Sequence, residues 1–183
     1  MPETVTKRTK DDITIGSCKV YLTEYTGTLP TRDSICVDAN RLGYVKGGAS
    51  VEYAETTITE KDDLGYVRKT ITTDEEVKVK LGLITWNGAS LTKLINRSST
   101  SEADGIRTTK IGGGGNTQDK NYVLCLHHED SADGDVWVMI VGRNTAGATL
   151  KFATDGGSLV EPEFTALPHD ADGTLIELYE EIT

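Results

Sequence analysis

Residues 77–83 alternate without a break, with Val77, Val79, Leu81 and Leu83 set against Lys78, Lys80 and Gly82, and Glu76 leading in. Side chains on a strand point alternately to the two faces of a sheet, so this pattern puts one face in a core and the other in water. Upstream lie two runs rich in β-branched residues, Thr56-Thr57-Ile58-Thr59 and then Val67 with Thr70-Ile71-Thr72-Thr73. Such residues fit a pleated surface better than a helix. Between the runs, Glu60-Lys61-Asp62-Asp63-Leu64-Gly65-Tyr66 is a charged segment with a glycine free to take positive φ. The pattern predicts a long polar β-hairpin over residues 51–74 whose return arm runs into the alternating strand. Downstream, Trp86-Asn87-Gly88 ends that strand, Asn87 can cap the next element, and Leu91, Leu94 and Ile95 share one helical face. About ten residues cannot hold a helix alone in water, so this one must pack on a sheet.

The remaining chain reads mainly as strands and turns. Residues 12–25, with Ile13, Ile15, Val20 and Leu22, suggest a strand bent at Gly16-Ser17, and residues 26–46, with Gly27, Pro30 and Gly43, suggest a connecting loop. Residues 98–105 read as a flexible connector and 106–111 as a short strand. The four glycines at 112–115 lack the Gly-Lys-Ser/Thr of a phosphate loop and read as a hairpin loop. Residues 122–126 and 136–141 are nearly continuous apolar runs, a hairpin buried on both faces at the centre of the core. Beyond 148, three strands are expected, at Leu150 and Phe152, at 159–164 and at 175–182, separated by turns at Asp155-Gly156-Gly157 and at 169–173. The expected fold class is mainly β: a β-sandwich or partial barrel with one short flanking α-helix and a long protruding β-hairpin. Residues 1–11 are expected to be a flexible arm, and 12–183 a single domain.

Charge and composition narrow the function. A formal charge of −10 argues against a surface built to grip phosphate backbones. No apolar run approaches the ~20 residues of a membrane span, and the polar first dozen residues lack a signal peptide's apolar segment. The expectation is a soluble protein made in a cytoplasm, with no membrane partner. Cys18, Cys36 and Cys125 are odd in number and far apart, so they read as free thiols. His127 and His128 would point to opposite faces of a strand, His169 is far away in sequence, and Asp170-x-Asp172-Gly173 lacks the later ligands of a calcium loop. No metal, cofactor or catalytic residue is expected, since neither a Gly-x-Ser-x-Gly elbow nor a His-Glu-x-x-His helix is present.

The order of elements resembles the tail tube, or major tail, proteins of long-tailed bacteriophages. The resemblance rests on the long hairpin with its charged tip, the alternating strand running straight into a single helix at residues 77–95, and closing segments from Thr149-Leu150-Lys151-Phe152 through Glu163-Phe164-Thr165 to Leu175-Ile176-Glu177-Leu178. It covers most of the chain from residue 12 onward. It implies a structural virion protein, made in the host cytoplasm, that forms homohexameric rings stacked into a hollow tube. Other tail proteins would meet the tube ends, and double-stranded DNA would pass through without specific binding. On this view Glu60, Lys61, Asp62, Asp63, Leu64, Gly65 and Tyr66 make contacts between rings, and Thr56, Thr70, Thr72 and Asp74 are candidates to line the channel. The alternative is a monomeric β-sandwich binding module, for example one for carbohydrate, though the two tryptophans, Trp86 and Trp137, offer no evident platform. Residues 155–183 carry eight carboxylates, Asp155, Glu161, Glu163, Asp170, Asp172, Glu177, Glu180 and Glu181, and no lysine or arginine. A solvated outer face explains such a run, or a channel wall that repels phosphate.

Overall fold

The structure, a computed structural model, describes residues 8–182. Eight strands form one antiparallel sheet: β1 (Lys19–Glu24), β2 (Arg41–Gly43), β3 (Val45–Lys61), β4 (Arg68–Leu83), β7 (Tyr122–His128), β8 (Val136–Asn144), β9 (Glu163–Ala166) and β10 (Glu177–Glu180). The hydrogen-bonded order is β2-β1-β7-β8-β9-β4-β3, with β10 also paired to β8. A separate hairpin joins β5 (Ser98–Ala103) to β6 (Ile106–Ile111). The helices are α1 (Arg32–Ile35) and α2 (Gly88–Leu94).

The two ends of this sheet are the same piece of chain. β2 pairs with β1 and β3 pairs with β4, and only Tyr44 separates β2 from β3. Tyr44 keeps the ladder running, its N–H donating to Thr85 Oγ1 at 2.8 Å and its carbonyl accepting from Ile84 N at 2.9 Å. The sheet therefore curls into a barrel without free edges at its root. Two glycines permit the close backbone approach: a Cβ on Gly43 would stand 2.6 Å from Thr85 O, and one on Gly82 2.5 Å from Lys46 O.

Alternation along the strands sorts apolar side chains into two clusters. Val20 and Leu22, Leu124 and Leu126, Ile140, Phe164 and the run Val77, Val79, Leu81, Leu83 form the main core, into which α2 packs Leu91 and Leu94. Tyr21, Val123, Cys125, Met139 and Val141 face the other way and are covered by Ile35 of α1. The β7–β8 hairpin is thus buried on both faces, as its apolar runs predict, and the alternating 77–83 strand lines the core. Asn87 caps α2 in a box with Ser90, each side chain bonding the other's backbone N–H at 2.9 Å.

Other expectations need correction. The first strand starts at Lys19, not residue 12, because its ladder with β7 stops at the Lys19↔His127 pair; Ile13 and Ile15 lie outside any ladder and are exposed. Residues 26–46 are not merely a loop. They hold α1, a 3₁₀ turn at Asp38–Asn40 and β2, organised by the fully buried Ile35, so the described residues hold two short α-helices rather than one. Ser98–Ala103 is a strand and not a connector, since a two-stranded ribbon needs backbone pairing but no apolar face. The glycine run is no hairpin loop, as β6 and β7 do not pair. It forms a 3₁₀ turn at Gly114–Asn116, with Asn116 Nδ2 donating to Gly112 O at 2.7 Å. Leu150 and Phe152 lie outside any strand, Phe152 standing edge-on to Trp86. Closure comes from β2 and β3, with β9 and β10 as four-residue strands, and not from three full closing strands. Of the expected amino-terminal arm, residues 1–7 lie outside the described residues. Arg8 donates to Gly134 O at 2.8 Å and lies 3.4 Å from Asp130, in the turn between β7 and β8.

Candidate functional site

β3 and β4 continue well past the barrel as a two-stranded arm. Register runs unbroken from Ser50↔Lys80 to Thr56↔Asp74, shifts by one residue at Thr73, and continues from Thr57↔Thr72 to Lys61↔Arg68. Every residue from 51 to 76 is exposed, whereas Val77 is fully buried. Eleven residues of β3 lie in this exposed stretch, about 35 Å of extended chain at ~3.3 Å per residue.

The ladder gives the arm two chemically different faces. On one, continuous with the core through Val77 and Val79, stand Tyr53, Glu55 and Glu75, followed by Thr57, Thr59, Thr70 and Thr72. Thr59 and Thr70 join hydroxyls at 2.7 Å. Glu55 and Glu75 are directly opposed like charges, and the Tyr53 hydroxyl reaches both at 2.6 and 2.7 Å. Those two carboxylates raise the Tyr53 phenol far above its ordinary pKa. The other face is a charge ladder at its root. Lys80 meets Glu52 at 3.0 Å, Lys78 meets Glu76 at 2.5 Å, and Glu163 of β9 lies 3.7 Å from Lys80 and 3.8 Å from Lys78. Hydrogen bonds donated to Glu76 and Glu52 raise the pKa of Lys78 and Lys80 respectively. Further out come the Thr56/Asp74 pair, then Ile58 opposite Ile71, then Glu60 opposite Lys69.

The four residues singled out as channel lining therefore divide. Thr70 and Thr72 lie on the threonine face, and Thr56 and Asp74 lie together on the opposite one. The bulge at Thr73, whose hydroxyl donates to Thr56 O at 3.1 Å, produces this split.

At the tip, Asp62 is an organiser. Its carboxylate accepts from Val67 N at 2.7 Å and Leu64 N at 3.3 Å, its carbonyl accepts from Gly65 N, and Gly65 takes φ +72. The turn thereby pushes Leu64, Tyr66 and Val67 into solvent, at 76%, 85% and 70% exposure. The tip therefore exposes apolar side chains beside its charges.

Elsewhere, His127 and His128 diverge as their spacing predicts. His127 pairs with Asp135 at 2.8 Å and stacks on Trp137, while His128 bonds Ser17 O. His169, Asp170 and Glu177 converge, with donor atoms within 4.8 Å of one another, a cluster the sequence separates by seven residues. Their bonds are internal: His169 to Glu177 at 3.0 Å, Glu177 also to Tyr179, and Asp170 to the N–H groups of Asp172 and Thr174 in a turn. Of the eight carboxylates beyond 154, Glu163 and Glu177 join these ion pairs, and Glu181 accepts from Asp135 N.

No protein-family model and no curated protein matches the sequence. Among solved structures, a chain of the cryo-EM structure of the anti-feeding prophage cap, described as its tube terminating cap, matches over 99% of this chain and 100% of its own length. The TM-score is 0.50 at 12% identity. This fold resembles that of a tube cap. The likeness spans nearly the whole length of both chains.

Proposed function

We propose that this chain is a structural subunit of a phage-type tail, assembling through its arm into homohexameric rings that stack as a hollow tube for DNA passage. The observation that carries the reading is the arm itself: 26 consecutive residues exposed on both faces. A lone two-stranded ribbon is marginal in water, and its outer backbone groups present open edges. Neighbouring copies laid side by side cover those edges, and closure into a ring leaves none. The full-length likeness to a tube cap supports the same reading.

Within that assembly the threonine face, Thr57, Thr59, Thr70 and Thr72, suits the channel. These four hydroxyls are uncharged, Glu55 and Glu75 on the same face are acidic, and a net-acidic subunit gives a polyanion little to hold. Thr56 and Asp74, with the Ile58/Ile71 pair, then face away from the lumen. The tip meets the next ring through Leu64, Tyr66 and Val67, while Asp62 and Gly65 shape it. Rings joined head to tail make a heterologous contact that continues until something caps it. The test is sedimentation of the purified protein at rising concentration, followed by negative-stain imaging. Six-fold rings with a central hole, alone and in stacks, are expected. A species that remains monomeric would overturn the reading, and another rotational symmetry would overturn the ring number.

A second reading is favoured by the comparison: a ring that ends a tube without extending it, since the similar structure is that of a tube terminating cap. Its signature is six-fold rings that never stack and that bind only tube ends. A monomeric carbohydrate-binding module has less support. Of the exposed aromatics, Tyr53 lies near the root of the arm, Tyr66 at its tip, and Tyr44 and Phe152 on other segments, and the groove beside Gly47 and Gly48, about 440 Å³, is lined by none.

A further inference from the structure

Two of the three cysteines meet across the second cluster. Cys36 Sγ lies 3.8 Å from Cys125 Sγ, although 89 residues separate them in sequence. Cys125 sits in the middle of β7, opposite Tyr21 on one side and Met139 on the other, and is fully buried. Cys36 ends α1, with its N–H bonded to Arg32 O, and is only partly buried. Around it, residues 26–40 lie over β1, β7 and β8 as a lid, held by Ile35 from within and by Arg32 over the rings of Trp137 and Tyr179 at 4.9 and 5.4 Å. Cys18 packs against the other cluster, on the opposite face of the sheet.

We propose that Cys36 and Cys125 are a reversible redox pair, joined as a disulfide when the protein meets a low-molecular-weight disulfide, so that the lid is stapled to β7. Their sulfurs are already in contact, one is accessible to a reagent, and the other sits on a rigid central strand. The accessible Cys36 attacks first: its thiol loses a proton to water, and its sulfur bonds one sulfur of the small disulfide, expelling the other half as a thiolate. Cys125 then loses its proton and attacks the Cys36 sulfur, expelling the second half. Two cysteine thiols are oxidised by two electrons, the small disulfide is reduced to two thiols, and protons balance. Burial raises the pKa of both cysteines, so attack is slow at neutral pH. The rate rises about tenfold per unit of pH while the thiol form dominates. A reducing compartment keeps the pair open, and an oxidising one closes it. This holds whether or not the chain forms rings.

The test incubates the folded full chain with oxidised glutathione in mildly alkaline buffer. Thiols are then counted after denaturation, and the proteolytic peptides are mapped by mass. The count is expected to fall from the three of the sequence to one, with a single linked peptide pair containing residues 36 and 125. Cys18→Ser should lose both of its two remaining thiols in the same way, and Cys36→Ser should form no internal link. Dithiothreitol should restore the starting count. A count that stays at three, glutathione retained on Cys36, or a link through Cys18 would each overturn the proposal. The oxidised parent should also melt higher than the reduced form, and a lower melting temperature would overturn the staple.

Discussion

One strand, β4, serves two regions that differ in nearly every physical respect. At its root Val77, Val79, Leu81 and Leu83 are at most 4% exposed, covered by the chain's own barrel and α2. Seven residues earlier on the same strand, Thr70 is exposed, and so is its partner Thr59. The root alternates apolar with polar, the arm is built of threonine, isoleucine and charged residues, and both extend as strands. β-propensity and pairing set the extended conformation, while burial depends on what the chain brings to the other side. The barrel supplies its own cover, whereas no described part of the chain covers the arm.

The sharpest test of this contrast shortens the arm. Replacing residues 55–75 by an Asn-Gly turn should leave the circular dichroism and melting temperature of the isolated chain close to those of the parent and abolish ring formation. Loss of folding would show that the arm belongs to the core after all. Next in size, Phe164→Ala empties a fully buried site in the main cluster, and urea titration should show a loss of about 3–5 kcal/mol. A loss below 1 kcal/mol would mean that the barrel is less self-sufficient than its burial indicates.

Acid should act on the barrel rather than on the arm. Backbone N–H groups of Asp133 and Ala132 lower the Asp130 pKa, and the Tyr179 hydroxyl and His169 lower that of Glu177. At Asp135, burial pushes the pKa up, but the Asp130 N–H and His127 together outweigh it and the net shift is downward. Carboxylates depressed in the folded state contribute stability that is complete above their unfolded values near pH 4 and is lost as pH falls through the lower folded ones. Melting temperature should therefore drop below about pH 4, equally with and without the arm, and less steeply in Asp130→Asn. The smallest effect belongs to the arm's own surface. Ile58→Ser should move the stability of the isolated chain by no more than about 0.5 kcal/mol. If hydrogen exchange showed the arm's amides as protected in the monomer as those of β7, the contrast would fail.

Legibility followed locality. The 77–83 strand, the Asn87 cap, the doubly buried β7–β8 hairpin and the long arm all carry their signal within a dozen residues, and all are present. Barrel closure by β2 and β3 was hidden because Arg41 and Leu83 find their partners through a topology that periodicity does not encode. Leu150 and Phe152 alternate like a strand, yet no ladder reaches them. β5 gave the opposite error, because Ser98-Ser99-Thr100-Ser101 has loop composition and pairs by backbone alone. Thr70, Thr72 and Asp74 share parity in sequence and so suggest one face. The extra residue at Thr73 breaks that parity, and only the ladder reveals it. The Cys36–Cys125 contact is wholly non-local and left no trace in spacing.

The strand that closes the barrel is also the strand that leaves it, and this has a mechanical consequence. β3 runs on from β2, and β4 is held by β9, so a pull on the tip draws both strands lengthwise past their neighbours. Inter-strand hydrogen bonds lie across that direction, so they are loaded together in shear and cannot be peeled open one at a time. Glu163, 3.8 and 3.7 Å from Lys78 and Lys80, adds an electrostatic tie where the lever meets its mount. Tension on the arm is consequently taken where Lys78, Val79 and Lys80 pair with Thr165, Phe164 and Glu163, and that joint should release abruptly and not by gradual fraying.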